Sequence, residues 1–139
     1  MPENDSLKPS SVLFWLSALI AAGIIVVGLR FLLDPLAAAR DFGVPVPGTS
    51  TFAYLWTKGS RDIVSGLLLI SLLWLGVRRA VLATFLFVAA MIPIADFLNV
   101  YINVHSERPG ALMIHGGTAI FMIVLASVIF HTPKFAADR

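Results

Sequence analysis

The chain has 139 residues, of which 58% are hydrophobic and only 13% are charged. Soluble domains carry about 25% charged residues, so this composition indicates a single membrane domain, 1–139, whose solvent is lipid. The formal charge of +2 argues against nucleic-acid binding, and the absence of cysteine excludes disulfides and cysteine nucleophiles. With three histidines and no cysteine we expect no metal site, and no redox-cofactor motif is visible, so we expect no cofactor.

Four apolar stretches follow one another along the chain. They cover roughly residues 11–33, 51–77, 80–102 and 110–130, and each approaches or exceeds the roughly 20 residues that cross a bilayer core. None of them alternates polar and apolar residues as barrel strands do, and an open sheet cannot satisfy its backbone in lipid. The sequence therefore predicts an all-α fold, an integral membrane four-helix bundle.

The first connection between these stretches is long and carries its own helix signals. Asp34 can cap a helix whose first residue is Pro35, and Gly43 can end it. We therefore predict a short interfacial helix, Pro35–Phe42. Thr49 or Ser50 can then cap the second spanning helix.

The distribution of basic residues predicts the orientation. Only a two-residue hairpin, Arg78-Arg79, separates the second and third stretches, so it must lie on the side of both termini. That side carries five basic residues in evident loops or tails: Lys8, Arg78, Arg79, Lys134 and Arg139. The opposite side carries Arg40 and Arg108, and the positive-inside rule then predicts that both termini are cytoplasmic.

The unusual polar residues lie at helix ends that this topology brings to one membrane face. Lys58, Arg61 and Asp62 have the spacing i, i+3 and i+4, so they share one helix face. Asp96 and Asn99 likewise share a face of the third helix, where Pro93 should introduce a kink. A charge at membrane depth costs at least about 2.5 kcal/mol, so we expect these groups to pair or to face water.

The expected pairs are Asp96 with Arg61 or Lys58, and Asp62 with Arg30. This pairing leaves one cation over, which would suit an oxygen-rich or anionic ligand. The candidate catalytic residues are Asp96, His115 and Asp62. The candidate substrate-binding residues are Arg61, Lys58, Arg30, Asn99 and Tyr54.

Structural roles are open for the same residues. Arg30 can form an ordinary interfacial pair with Asp34, and Lys58 can extend to the lipid headgroups. Arg61 and Asp62 can form a purely structural ion pair, and a lone histidine often only bonds a carbonyl group.

Several short motifs together resemble a family of small four-helix membrane proteins. The family is catalogued only as a domain of unknown function, in bacteria and in fungal biosynthetic clusters. The motifs are Gly28-Leu-Arg-Phe31, Asp34-Pro35, Phe42-Gly-Val-Pro45, Lys58-Gly-Ser-Arg-Asp62, Asp96 and His115-Gly116. The resemblance extends over roughly residues 12–129, implies the fold and points to these positions, but it supplies no reaction.

Three functions remain open. The first is a membrane enzyme acting on a lipophilic small molecule, in which Asp96, alone or with His115, is the base or water activator. Lys58 and Arg61 would then polarise an oxygen, as in epoxide opening, isomerisation or cyclisation. The second is a proton-linked transporter that works as a homo-oligomer. The third is an accessory or structural subunit of a larger membrane protein.

Overall fold

The computed structural model of the chain describes residues 5–44, 46, 49–104 and 107–132. Within this part the fold is all-α, as predicted. One 3-10 turn, Thr49–Thr51, precedes the third of six α-helices. The helices are α1 (Val12–Leu33), α2 (Pro35–Phe42), α3 (Phe52–Trp74), α4 (Arg79–Ala89), α5 (Met91–Val104) and α6 (Pro109–His131).

Among the residues that the structure describes, three segments are long and apolar enough to cross a membrane. They are Val12–Leu33, Arg79–Val104 and Pro109–His131. The helix α3 is not among them, since it carries three charged residues in its first half. By length and composition the chain is therefore an integral membrane protein with three candidate spans.

The predicted third helix is divided into α4 and α5. The helix α4 ends at Ala89, Ala90 forms a turn, and α5 begins at Met91. Pro93 explains the break, because it has no backbone N–H and its ring clashes with the carbonyl group four residues earlier, that of Ala89. The interruption therefore lies one turn before Pro93, the residue expected to kink the helix.

The connection after α1 contains the predicted short helix α2. The Asp34 carboxylate accepts a hydrogen bond of 3.1 Å from the Ala37 backbone N–H, and Gly43 closes the helix at φ 108°, which favours glycine. The position of α2 at a membrane surface stays a prediction. The residue at the N-cap of α3 is Thr51, whose side chain makes no capping hydrogen bond, so neither Thr49 nor Ser50 has the predicted capping role.

The helices α1 and α3 pack with their backbones in contact. A Cβ atom at Gly28 would lie 2.6 Å from the Gly59 carbonyl oxygen, and one at Gly59 would lie 2.7 Å from the Gly28 carbonyl oxygen. A Cβ atom at Gly66 would lie 2.7 Å from the Ala21 carbonyl oxygen. Small residues permit such close approach of helices in lipid, where packing rather than the hydrophobic effect holds helices together.

An ion pair ties three segments together at one end of the molecule. The Arg79 guanidinium donates to the Asp5 carboxylate at 2.6 and 2.8 Å and to the Thr132 carbonyl oxygen at 2.9 Å. The start of the described chain, the α3–α4 hairpin and the end of α6 therefore meet at this end. The helix α2 and the first turns of α3 and α6 lie at the other end.

Two groups of buried apolar residues separate these ends. The larger group lies in the half nearer Arg79 and includes Leu69, Leu82, Leu86, Met122 and Ile129. The smaller group lies where α2 packs on α1 and α3, and it consists of Phe31, Ala38 and Ala39, with Phe42 and Leu55 packed against it. The charged residues lie next to this smaller group.

Candidate functional site

Close packing of α1 on α3 places Lys58 beside aromatic rings. Gly59, the residue after Lys58, is in backbone contact with Gly28, and a Cβ atom there would lie 3.0 Å from the Cβ atom of Phe31. Lys58 Nζ lies 4.8 Å from the ring centroid of Phe31 and 4.8 Å from that of Phe42. Each of these cation–π contacts can contribute about 0.5–2 kcal/mol, the more so where water is excluded.

The same ammonium group bridges two carboxylates. Lys58 Nζ donates to Asp62 Oδ2 at 2.8 Å and to Asp96 Oδ2 at 3.5 Å. The first contact joins neighbouring turns of α3, whereas the second joins α3 to α5. Of the two partners offered for Asp96 by the sequence, Lys58 is therefore the one that contacts it.

Asp62 is the most buried of the charged groups at this end. Its side chain is 5% exposed, and its second oxygen accepts from Arg61 Nε at 3.3 Å and from the terminal guanidinium nitrogen at 3.1 Å. A buried carboxylate requires such partners, since an unpaired charge would carry the full desolvation penalty. Asp62 therefore neutralises and positions both cations of α3.

The predicted pair of Asp62 with Arg30 is wrong. Arg30 pairs with Asp41 of α2 instead, and both side chains are exposed. The charged cluster therefore consists of Lys58, Arg61, Asp62 and Asp96. Two cations against two carboxylates give it no net charge, so the surplus cation predicted from the sequence is absent from it. A neutral ligand suits such a cluster better than an anionic one.

His115 of α6 is anchored to α2. Its Nε2 atom lies 2.9 Å from the Phe42 carbonyl oxygen, and the two rings pack with centroids 4.5 Å apart. A carbonyl oxygen can only accept, so Nε2 must carry the proton. In the neutral ring Nδ1 is then a proton acceptor, and it has no hydrogen-bond partner among the residues that the structure describes.

Three members of the charged cluster, Lys58, Asp62 and Asp96, border a cavity of about 250 Å³ together with His115. The polar side chains on its wall are Lys58, Asp62, Ser65, Asp96, His115 and Thr118. The remaining wall is apolar and comes mainly from α1, from the α4–α5 break and from α6. Aliphatic walls with a few convergent polar groups are typical of sites for small molecules.

The other predicted site residues lie outside this cavity. Arg61 is half-exposed and reaches the site only through Asp62. Asn99 accepts a hydrogen bond of 2.7 Å from Asn103 on the surface of α5, and Tyr54 is exposed near the start of α3. Arg30 is occupied by Asp41. Of the five predicted substrate-binding residues, the structure places only Lys58 on the cavity wall.

Sequence reasoning missed the two aromatic residues that contact Lys58. Phe31 was identifiable in part, because it lies three residues after Gly28 and so shares the α1 face that packs on α3. Phe42 gave no such signal, since its position depends on how α2 folds back over the helix ends. Both residues belong to motifs that carry the family resemblance.

Fold and site together define a class of protein. The chain is a small helical membrane protein with a mostly apolar cavity between helices. Charged side chains from a cluster without net charge and a histidine lie on the cavity wall. Its residues 21–129 match the family described as Domain of unknown function (DUF4267), and the chain belongs to that family, which confirms the resemblance seen in the motifs. No curated protein and no solved structure matches the chain.

Proposed function

We propose that α3 is a fourth membrane span, so that the protein is a four-helix bundle with both termini in the cytoplasm and α2 at the opposite surface. The length of α3 supports this, because 23 residues extend over about 35 Å. Its contact with α1 runs from Gly59 to Gly66, and α1 is itself a candidate span. Two of the three charges of α3, Lys58 and Asp62, are directed into the protein, and the half-exposed Arg61 is paired with Asp62.

Within this arrangement the protein is an enzyme that moves a proton on a neutral, lipophilic carbonyl compound. The observation that carries the proposal is the contact of Lys58 with Asp96 at the wall of an otherwise apolar cavity. It supplies an acid and a base to the same bound molecule in a medium of low dielectric constant, where both act strongly. The absence of net charge in the cluster favours a neutral substrate.

The reaction that fits best is isomerisation of a β,γ-unsaturated ketone to the conjugated α,β-enone. The Asp96 carboxylate removes a proton from the carbon next to the carbonyl group, and the electron pair of the broken C–H bond moves onto the carbonyl oxygen. The Lys58 ammonium group stabilises the resulting dienolate by a hydrogen bond. Asp96 then returns the proton to the far end of the conjugated system, so the double bond shifts, and no oxidant or reductant is consumed.

Asp96 is the stronger candidate for the base than Asp62. Asp62 accepts from both Lys58 and Arg61, and its side chain is 5% exposed. The Asp96 carboxylate has Lys58, at 3.5 Å, as its one hydrogen-bond partner among the described residues, and Asp96 follows the α4–α5 break. His115 adds a second acid–base group, whose Nδ1 atom can relay the proton between the two carbons.

Hydrogen exchange tests this proposal without knowledge of the natural substrate. The purified protein in lipid nanodiscs is incubated in D2O with a panel of lipophilic ketones and β,γ-enones, and deuterium uptake is followed by mass spectrometry. We expect uptake above the rate of empty nanodiscs, and a fall of about 10²-fold or more in Asp96→Asn. The control Asp41→Asn, which alters an exposed carboxylate outside the cavity, should keep the wild-type rate.

Two outcomes would contradict the proposal. Uptake no faster than in empty nanodiscs for every compound would remove the enzyme hypothesis and favour an accessory subunit. Equal uptake by wild type and a folded Asp96→Asn variant would show that Asp96 is not the base.

A further inference from the structure

The cavity opens sideways, between α1 and α6. Leu19 and Val27 of α1 and Ile114 of α6 line the cavity, yet they are 64%, 44% and 65% exposed. Side chains that face both the cavity and the outside mark its rim. The surface around this rim is apolar, and in a membrane it would face hydrocarbon chains rather than water.

Gly23 forms the middle of this rim. Leu19, Gly23 and Val27 are spaced by four residues, so they follow one another along a single face of α1. A Cβ atom at Gly23 would have nothing within 4 Å, in contrast to Gly28 and Gly66, whose missing side chains make room for a neighbouring helix. Helix packing therefore does not require glycine at position 23, and the space beside it belongs to the opening.

The volume of the cavity limits what it encloses. It measures about 250 Å³, whereas pockets that enclose drug-sized ligands measure about 300–1,000 Å³. A larger lipophilic molecule therefore fits only if part of it remains outside. The polar groups lie on the inner wall and the opening is apolar, so the part outside must be apolar.

We infer that the ligand is a single-chain amphiphile. This inference rests on the proposed function in one respect only, that a carbonyl group binds at Lys58. Its oxygenated head lies against Lys58 and Asp96, and its alkyl chain passes Gly23 between α1 and α6 into the hydrocarbon of the bilayer. Such a ligand enters from the membrane and never leaves it. A compact polycyclic substrate, enclosed on all sides, is not what this cavity is shaped for.

Photo-crosslinking tests the path of the chain independently of catalysis. The probe is pentadecan-2-one with a diazirine at mid-chain, irradiated with the protein in nanodiscs, and the labelled peptides are located by mass spectrometry. Specific labelling is the part suppressed by excess pentadecan-2-one but not by pentadecane, which lacks the oxygen. We expect it on α1 around Gly23 and on α6 around Ile114.

A bulky residue at the rim should block the chain. Gly23→Phe should lower the specific labelling by about tenfold or more, and Gly23→Ala should lower it less. The matched control is Gly117→Phe on α6, where a Cβ atom also has nothing within 4 Å and which does not line the cavity. It should label as the wild type does, and melting temperatures verify that all variants fold.

The outcomes separate the inference from the proposed function. Specific labelling at the rim without deuterium uptake would support the chain path and overturn the proton-transfer function. If Gly23→Phe exchanged deuterium into the long-chain pentadecan-2-one as well as into the short-chain heptan-2-one, the function would be supported and the chain path overturned. Specific labelling absent from the rim, or unchanged in Gly23→Phe, would likewise overturn the path.

Discussion

The ammonium group of Lys58 and the carboxylate of Asp96 lie 3.5 Å apart, although 38 positions separate the two residues. Lys58 belongs to the helix packed on α1, whereas Asp96 belongs to α5, which packs mainly on α6. The pair therefore links the α1–α3 half of the molecule to the α5–α6 half at the wall of the cavity. A ligand that accepts a hydrogen bond from Lys58 would compete with the Asp96 carboxylate for the ammonium group.

Replacement of Asp62 by asparagine should destabilise the protein. The variant Asp62→Asn leaves Lys58 and Arg61 near a neutral amide in a site where the carboxylate is 5% exposed. Breaking a buried pair typically costs about 3–5 kcal/mol, and we expect the free energy of unfolding to fall by that amount. Reversible denaturation in one detergent measures it.

The exposed pair of Arg30 and Asp41 provides the control for this measurement. Asp41→Asn removes a carboxylate from an exposed pair on α2, and exposed pairs contribute about 0–1 kcal/mol. Equal losses in the two variants would mean that burial of Asp62 does not determine its contribution.

Alanine should have opposite effects on stability at Gly59, which lies in the contact between α1 and α3, and at Gly117, which lies outside it on α6. In Gly59→Ala the new Cβ atom would lie 2.7 Å from the Gly28 carbonyl oxygen, so the helices must separate. We expect a loss of about 1–3 kcal/mol. In Gly117→Ala the Cβ atom has nothing within 4 Å, and better helix propensity should add up to about 1 kcal/mol. A neutral or stabilising Gly59→Ala would refute this packing.

Because Nε2 of His115 carries the proton and Nδ1 does not, one substitution at this position should lower activity without lowering stability. Glutamine can donate a hydrogen bond to the Phe42 carbonyl oxygen as Nε2–H does, but it has no basic nitrogen at the position of Nδ1. His115→Gln should therefore keep its melting temperature while deuterium uptake falls.

A second variant at the same position completes this comparison. His115→Phe keeps a ring against Phe42 but leaves the carbonyl group without its donor, which should cost about 1–3 kcal/mol. If the glutamine variant lost as much stability as the phenylalanine variant, or kept full uptake, the assignment would be incorrect.

Single cysteines test the membrane orientation, and the chain has no cysteine of its own to interfere. Leu75→Cys lies beside the α3–α4 hairpin and Glu107→Cys precedes α6, at opposite ends of the molecule. With cytoplasmic termini, an impermeant maleimide should label Glu107→Cys in intact cells and Leu75→Cys only after permeabilisation. The reverse pattern would invert the topology, and labelling of both from outside would deny that the segment Arg79–Val104, which separates the two positions, crosses the membrane.

Local signals in the sequence determined the helices and much of the charged cluster. Apolar runs of spanning length, the Asp34 cap and Gly43 fix where helices begin and end, because these depend on neighbouring residues only. Spacings of three and four residues place Lys58 and Asp62 on one face in any helix. The family motifs pointed to the same positions.

Only the tertiary structure decided which charges meet and where a ligand could enter. Arg30 lies near the end of α1, as predicted, but the fold of α2 brings Asp41 to it and leaves Asp62 to Lys58 and Arg61. Tyr54 and Asn99 are on the predicted helices, yet they face outward. The rotation of each helix about its axis is set by packing, here by the contact of Gly28 with Gly59, and spacing along one helix contains no information about its neighbours.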